Sequence, residues 1–144
     1  MERVTGVLGV TIQQLAIRRP EEFQAVIDVL RRGLVEGLIV DADATLYTYQ
    51  PQIIAAASAH RIPTVFAWPR PVEDGGLLGY GASVPEMYRL AAVYVDKIAR
   101  GTNPADLPVE KVSRYHLAIN LKTAEPLGLT IPQSLLLRAD QVIQ

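Results

Sequence analysis

Continuous apolar runs alternate with stretches of helical spacing along the chain. A continuous apolar run is typical of a strand covered on both faces, as in a parallel sheet. Apolar residues three and four positions apart instead predict a helix with one buried stripe. The runs predict strands at residues 10–17, 38–40, 62–68, 77–80 and 115–121.

The first two helices are predicted to begin at prolines, which suit the first helical turn. One begins at Pro20 and ends by Gly33 or Gly37, and the next begins at Pro51 and closes near His60. The stripe of the first helix consists of Phe23, Val26, Ile27, Leu30 and Leu34.

The later helices are predicted from capping signals. Ser83 and Glu86 have the spacing of a capping box, and Gly101 suits the end of the helix they open. Asn120 is expected to cap a short helix, and a second capping box over 130–133 opens a last one. We expect the inward residues to be Met87, Leu90, Ala91, Tyr94 and Ile98 in the first of these helices, and Leu135, Leu136, Ala139 and Val142 in the last.

Alternation of strands and helices predicts an α/β fold, a doubly wound, mainly parallel sheet with helices on both faces. Neither an internal repeat nor a linker divides the chain, so we expect one domain over residues 1–144. In such sheets small molecules bind beyond the carboxyl ends of the strands, where the strand order reverses.

Composition removes several classes of function. The chain has 144 residues, 49% apolar and 20% charged, which is enough apolar material for a core and excludes disorder as the main state. A formal charge of -1 gives no electrostatic signature of nucleic-acid binding. The absence of cysteine excludes disulfides and thiol nucleophiles. The amino terminus lacks the pattern of a secretory signal, which predicts a cytoplasmic protein if Met1 is the true start.

Polar and aromatic residues follow three of the predicted strands, and each has a structural alternative. Asp43 is equally suited to cap a turn, Trp68 to fill the core, and Ser83 to cap its helix. The glycines near residues 75–81 form no phosphate-binding fingerprint and are expected to permit tight turns. The candidate ligand contacts are Asp43, Thr45, Trp68, Glu73, Tyr80 and Ser83.

The sequence also disfavours catalysis. His60 and His116 are the only histidines, and neither has the spacing of a metal site or a serine triad. A small α/β enzyme that uses Asp41 or Asp43 with a metal is the minor alternative. We therefore predict no enzymatic activity and no cofactor.

Four segments of the chain resemble stretches of the ABC transporter substrate-binding proteins, in the same order and at the same separations. They are EDGGLLGYG at 73–81, YRLAAVYVDKI at 88–98, NPADLPVE at 103–110 and INLKTAEPLGLTIP at 119–132. The resemblance implies the type I periplasmic-binding-protein fold, in which two lobes enclose a solute and pass it to a membrane permease without chemistry. The resemblance implies that this chain corresponds to an incomplete carboxyl-terminal lobe.

The resemblance also bears on the site and the location. It implies ligand contacts at Asp43, Glu73 and Tyr80, and a periplasmic protein. Ser83 stands where members that bind amino acids can carry an acidic residue for the ammonium group. An amino-acid ligand therefore does not follow from the resemblance.

Apolar faces that are built for an absent lobe would be exposed, and exposed apolar patches usually bind partners. The chain is therefore expected to form a homo-oligomer, through an exposed sheet edge or by exchange of a terminal segment. The alternative to a solute-binding protein is thus a self-associating interaction or sensor module that no longer serves transport.

Overall fold

The computed structural model describes residues 9–17, 19–33, 35–110 and 114–144, and its centre is a five-stranded sheet. The strands are β1 (Leu38–Val40), β2 (Thr64–Phe66), β3 (Leu78–Ala82), β4 (Tyr115–Asn120) and β5 (Gln141–Ile143). The α-helices are α1 (Phe23–Arg31), α2 (Ala44–Thr48), α3 (Gln50–Ala59), α4 (Val84–Ala99), α5 (Leu121–Ala124) and α6 (Gln133–Leu136). Short 3₁₀ turns occur at Pro20–Glu22, Arg70–Val72 and Pro104–Asp106.

The strand directions confirm the predicted α/β class with a mainly parallel sheet. β1, β2 and β3 are parallel, β4 is antiparallel to β3, and β5 is parallel to β4. The spatial order β1-β2-β3-β4-β5 follows the chain, so the described strands contain no reversal of strand order. The carboxyl ends of β1, β2 and β3 nevertheless lie at one edge of the sheet, together with the amino end of β4.

The core lies between one face of the sheet and the helices α1 and α3. Val40 and Phe66 are paired in register and project to this face, where Ile53 of α3 completes the cluster. A second cluster joins Leu30 of α1 to Ala57 and Ile62. Burying a side chain of this size contributes about 1.5–3 kcal/mol, so these contacts hold both helices against the sheet.

The opposite face of β1 is open. Ile39 alternates with the buried Val40, and 73% of its surface is exposed. The expectation that 38–40 is covered on both faces is therefore wrong, because α3 packs on the Val40 face and the described elements leave the Ile39 face mostly open.

The connection between β2 and β3 lies directly on β3. A Cβ added to Gly79 would lie 2.7 Å from Pro69 Cα and 2.7 Å from the Trp68 carbonyl oxygen. A Cβ on Gly81 would overlap the Ala67 carbonyl group. These two glycines permit close approach of two backbones, not the tight turns expected of them.

The predicted strand at 10–17 is wrong. Residues 10–17 carry no regular structure, and Val10 and Ile12 are 49% and 45% exposed. An apolar run becomes a strand only when a neighbouring strand satisfies its backbone groups, and the described sheet offers none to this segment. The first helix is confirmed over α1, while Leu34 of its predicted stripe lies outside the described residues.

Helix α4 has the predicted bounds but not the predicted burial. The Ser83 hydroxyl accepts a hydrogen bond from the Glu86 backbone N–H, and Gly101 beyond the helix end has a φ of +99°. None of the 16 residues of α4 is buried. Met87 and Ile98, expected to face inward, are 46% and 42% exposed.

The carboxyl terminus forms a strand where a helix was predicted. α6 spans four residues after Pro132, which provides no side-chain cap, so the second capping box is wrong. Val142 pairs with Ile119 in the sheet. The Asp140 carboxylate accepts a hydrogen bond from the Leu117 N–H (2.9 Å) and the Asp140 N–H donates to the Leu117 carbonyl (2.8 Å), which aligns the start of β5 with β4.

Candidate functional site

The carboxyl edge is the part of the sheet that carries most of the candidate residues. We define it as residues 41–51 after β1, residues 67–74 after β2, residues 83–86 after β3, and the adjoining residues 114–116 and 140 beside β4. Parallel strands place the segments that follow them side by side, which is why distant parts of the sequence meet here.

Asp43 is the amino-terminal cap of α2. Its carboxylate accepts hydrogen bonds from the backbone N–H groups of Thr45 (2.7 Å) and Leu46 (3.2 Å). The bonds from Leu46 and Thr45 lower the pKa of Asp43 below its usual value, because they stabilise the charged form. The stabilisation from this cap is present above the usual aspartate pKa and is lost as the pH falls through the lowered one.

Asp41 makes a similar local bond, since its carboxylate accepts from the Ala42 N–H at 2.8 Å. Both carboxylates therefore already serve the backbone. Among residues 9–17, 19–33, 35–110 and 114–144, no group of three or more histidine, aspartate or glutamate side chains is placed to hold a metal ion.

Trp68 belongs to the core. It is 7% exposed, and its ring packs edge-on against Phe66 with centroids 5.8 Å apart. The indole N–H donates to the Gln50 side-chain oxygen at 3.3 Å. The half-exposed ring of Tyr47 lies beside it at 5.9 Å, so Trp68 supports a surface aromatic residue from within.

That surface is one wall of an open groove between the start of α3 and the crossover that follows β2. The groove has a volume of about 450 Å³ and is lined by Tyr47, Thr48, Gln50, Pro51, Arg70 and Asp74. A volume of this size suits a small organic molecule. None of the six lining residues was among those predicted from the sequence, although Gln50-Pro51 at a helix start after a strand is a signal that places them at this edge.

A chain of polar contacts fixes the groove wall. The buried Gln50 donates from its amide nitrogen to the Asp74 carboxylate at 2.9 Å. Arg70 lies 3.9 Å from Asp74 and 3.2 Å from Glu73. Glu73, a predicted contact, also accepts from the Gln141 amide at 3.2 Å, and so connects this wall to β5.

Tyr80 lies on the other face of the sheet. Its ring stacks on that of Tyr115 with centroids 5.6 Å apart and an angle of 24° between the planes. Both side chains are more than half exposed, at 54% and 53%. Tyr115 was missed in the sequence, because only the antiparallel pairing of β3 with β4 brings it to Tyr80.

Ser83 acts as a helix cap, the structural alternative recognised for it. Its hydroxyl accepts from the Glu86 N–H at 3.5 Å, while the Glu86 carboxylate lies 3.6 Å from His116. Arg114 lies 4.0 Å from both Glu86 and Asp140. The four charged or titratable side chains therefore join the start of α4 to the starts of β4 and β5.

The predicted residues thus fall into two groups along the edge. Trp68 and Glu73 contact residues that line the groove, and Asp43 and Thr45 lie at the start of α2, which carries two of those residues. Tyr80 and Ser83 lie at the end of β3 near the Tyr115 ring and the Glu86–His116 contact.

The family model for ABC transporter substrate binding proteins matches residues 3–143. The chain belongs to this family.

Solved structures agree on the fold. An ABC domain in complex with L-Trp from Streptococcus pneumonia is 27% identical, with a TM-score of 0.87 over 98% of this chain. A conserved domain protein from Vibrio cholerae is 24% identical, with a TM-score of 0.87 over 98% of this chain. A ligand-free, open substrate-binding protein with adhesive properties from Clostridium difficile is 22% identical, with a TM-score of 0.65 over 99%.

The chain spans about half the length of these structures: 49%, 47% and 48% in the same order. No curated protein matches it. In the described part of the chain, no helix combines the length and the apolar character needed to cross a membrane.

Proposed function

We propose that the chain binds a small organic solute at the carboxyl edge of its sheet, as one lobe of a substrate-binding protein that delivers the solute to an ABC permease outside the cytoplasm. It does so without a cofactor and without converting the solute. Membership of the family over residues 3–143 is the observation that carries this proposal.

The groove supports the same proposal on chemical grounds. Tyr47 offers an aromatic wall, while Arg70 and Asp74 offer charged groups of both signs. Lining residues of this kind suit a zwitterion or a carboxylate with an apolar part. Asp43, Thr45, Tyr80 and Ser83 remain the proposed contacts along the rest of the edge.

The first test is a panel of solutes. Amino acids including L-tryptophan, which a structural relative binds, are compared with purines and simple carboxylates by thermal denaturation and calorimetric titration. A solute at one hundred times its Kd is expected to stabilise the chain by about 2.7 kcal/mol. A folded chain that none of the panel stabilises would contradict the proposal.

A matched pair of variants tests whether the solute binds in the groove. Tyr47→Ala removes the exposed groove wall and is expected to weaken binding by about fivefold or more. Tyr88→Ala removes another exposed tyrosine, 74% exposed on α4, and is expected to leave the Kd unchanged. Equal effects of the two variants would place the solute elsewhere.

Self-association is a second candidate function, favoured by the exposed apolar surface. This exposed apolar surface includes Ile39 on β1 and five apolar residues of α4: Val84, Met87, Val93, Val95 and Ile98. A second copy of the chain, paired through the β1 edge or by exchange of a terminal segment, would cover part of this surface.

Sedimentation at micromolar concentration tests the second candidate. The chain is expected to sediment as an oligomer, and Ile39→Lys is expected to shift it toward monomer, because a charge on an edge strand opposes pairing. Ser58→Lys, at an exposed position of α3, serves as the control. A monomer at all concentrations would overturn self-association and leave the solute-binding proposal standing.

A further inference from the structure

The groove lies in the most acidic part of the carboxyl edge. The six lining residues are balanced, with one guanidinium and one carboxylate. The two segments that contribute them, residues 41–51 and 67–74, are not balanced, since four carboxylates stand against one guanidinium: Asp41, Asp43, Glu73 and Asp74 against Arg70. These 19 residues therefore carry a formal charge of -3, whereas the whole chain carries -1.

The Asp74 carboxylate in the groove wall is fixed and only partly neutralised. The buried Gln50 amide donates to its Oδ2 atom at 2.9 Å, and the Arg70 guanidinium lies 3.9 Å from the same atom. Arg70 lies closer to Glu73, at 3.2 Å, so two carboxylates share its charge. Within the described part of the chain, the Oδ1 atom of Asp74 has no hydrogen-bond partner. Asp74 therefore offers an acceptor and a negative charge to a solute.

The Tyr47 ring adds an aromatic face to the same groove. It is 57% exposed, and the buried Trp68 ring supports it from within. The face of an aromatic ring carries partial negative charge and attracts cations. The Tyr47 N–H donates to the Asp43 carbonyl at 2.9 Å, so the Asp43 carboxylate lies one turn of α2 before the ring. Ring and carboxylates thus favour the same sign of charge in a solute.

We propose that the groove selects an organic cation, a positively charged nitrogen with apolar substituents, an inference that rests on the proposed solute-binding function. Asp74 serves as its counter-ion and Tyr47 as its apolar wall. An anion of the same size meets net repulsion from the surrounding carboxylates. A neutral solute gains burial but neither the charge attraction nor the cation–π contact. A metal ion does not fit, because the described residues place no three histidine, aspartate or glutamate side chains together.

Two solutes of the same shape test the role of charge. Choline and 3,3-dimethylbutan-1-ol join the solute panel, and they differ by replacement of the charged nitrogen with carbon. The wild-type chain is expected to bind choline about 3- to 10-fold more tightly in calorimetric titration, because an exposed ion pair and a cation–π contact each contribute modestly. Raising the salt concentration from about 20 mM to about 300 mM is expected to weaken choline binding and to leave the alcohol within about twofold, since salt screens exposed charges.

A matched pair of variants assigns the effect to Asp74. Asp74→Asn removes the charge, keeps the shape and can still accept the Gln50 bond. It is expected to weaken choline binding by about threefold or more and to leave the alcohol within about twofold. Asp106→Asn removes an exposed carboxylate in the 3₁₀ turn after α4, outside the groove, and is expected to leave both affinities unchanged. Thermal denaturation of each variant checks folding.

The outcomes separate the inference from the proposed function. If a panel member binds but the wild-type chain does not prefer choline to the alcohol, the inference is overturned and solute binding stands. The same conclusion follows if Asp74→Asn weakens choline binding no more than Asp106→Asn does. Choline binding that does not change with salt also overturns the inference, and this measurement needs no variant. A wild-type chain that binds neither choline nor any other member of the panel overturns the proposed function, and the inference with it.

Discussion

Alanine at position 81 is expected to lower the free energy of unfolding by about 3 kcal/mol or more, the upper range for overpacked sites. The added methyl group would overlap the Ala67 carbonyl and lie 3.2 Å from Trp68 Cα. Both are backbone atoms, so a change of side-chain rotamer cannot relieve the overlap. Either β3 or the crossover has to move. Chemical denaturation followed by circular dichroism measures the loss.

Alanine substitutions at two further glycines provide a comparison and a control for this prediction. Gly79→Ala meets backbone at 2.7 Å and is expected to destabilise the chain similarly. Gly37→Ala is the control, because its nearest contact would be the Pro63 carbonyl oxygen at an ordinary 3.7 Å. A Gly81→Ala variant as stable as Gly37→Ala would mean that the crossover does not lie on β3.

The glycine positions also connect the fold to the site. The crossover that they admit carries Arg70 and Asp74, which form one wall of the groove. Asn120 holds this crossover from the other end, since its buried amide donates to the Val72 carbonyl at 2.9 Å. Displacement of β3 would therefore alter the groove as well as the sheet, and loss of solute binding should accompany loss of stability in Gly81→Ala.

Secondary structure was predictable where one signal dominated. Continuous apolar runs correctly predicted β1, β2 and β3, and the capping residues at the two ends of α4 correctly predicted that helix. Both signals are local properties of the sequence. The terminal segment carried two signals: Leu135, Leu136, Ala139 and Val142 fit a helix, yet Val142 and Ile143 are also strand formers. Pairing with β4, a tertiary contact, decided between them.

The sequence predicted that the site lies at the carboxyl edge of the sheet, but not which side chains lie together there. The segments after the strands were identified, since parallel strands must bring them together. Whether a side chain at this edge can contact a solute depends on its hydrogen bonds to the nearby backbone. Asp43 and Ser83 already cap helices through such bonds. The Tyr80–Tyr115 pair depends on antiparallel register between strands that lie over thirty residues apart. Composition and spacing do not encode that register.

The proposal that the chain is one lobe of a larger protein accounts for its unburied apolar residues, because a second lobe would cover part of them. In a two-lobed protein the solute is enclosed from both sides, whereas the groove here is open. The chain covers 49% of the relative that binds L-Trp. We therefore expect a solute to bind this chain more weakly than it would bind a closed cleft, because less of its surface leaves water.

Phe66→Ala is the second large effect, with an expected loss of about 3–5 kcal/mol in the free energy of unfolding. Phe66 has no exposed surface, and it contacts the core cluster that joins β1, α3 and Trp68. Removal of the ring leaves a cavity that the surrounding backbone fills only in part. Such a loss is a large share of the about 5–15 kcal/mol that stabilises a typical domain.

Two control variants separate the loss of a buried ring from the effect of any side-chain substitution. Phe66→Leu retains most of the volume and is expected to cost less than about 1.5 kcal/mol. Leu137→Ala, at a side chain that is 79% exposed, is expected to change stability by no more than about 0.5 kcal/mol. A Phe66→Ala loss as small as that of Leu137→Ala would refute the placement of Phe66 in the core.

The same variant tests the support of the groove. Phe66 holds the Trp68 ring, whose N–H bonds to Gln50, and Gln50 in turn bonds to Asp74. A solute that binds the groove is therefore expected to lose affinity in Phe66→Ala more than in Phe66→Leu, even under conditions where both variants are folded. Equal affinities in the two folded variants would show that the groove wall does not depend on this ring, and that α3 and the crossover hold it without the core contact.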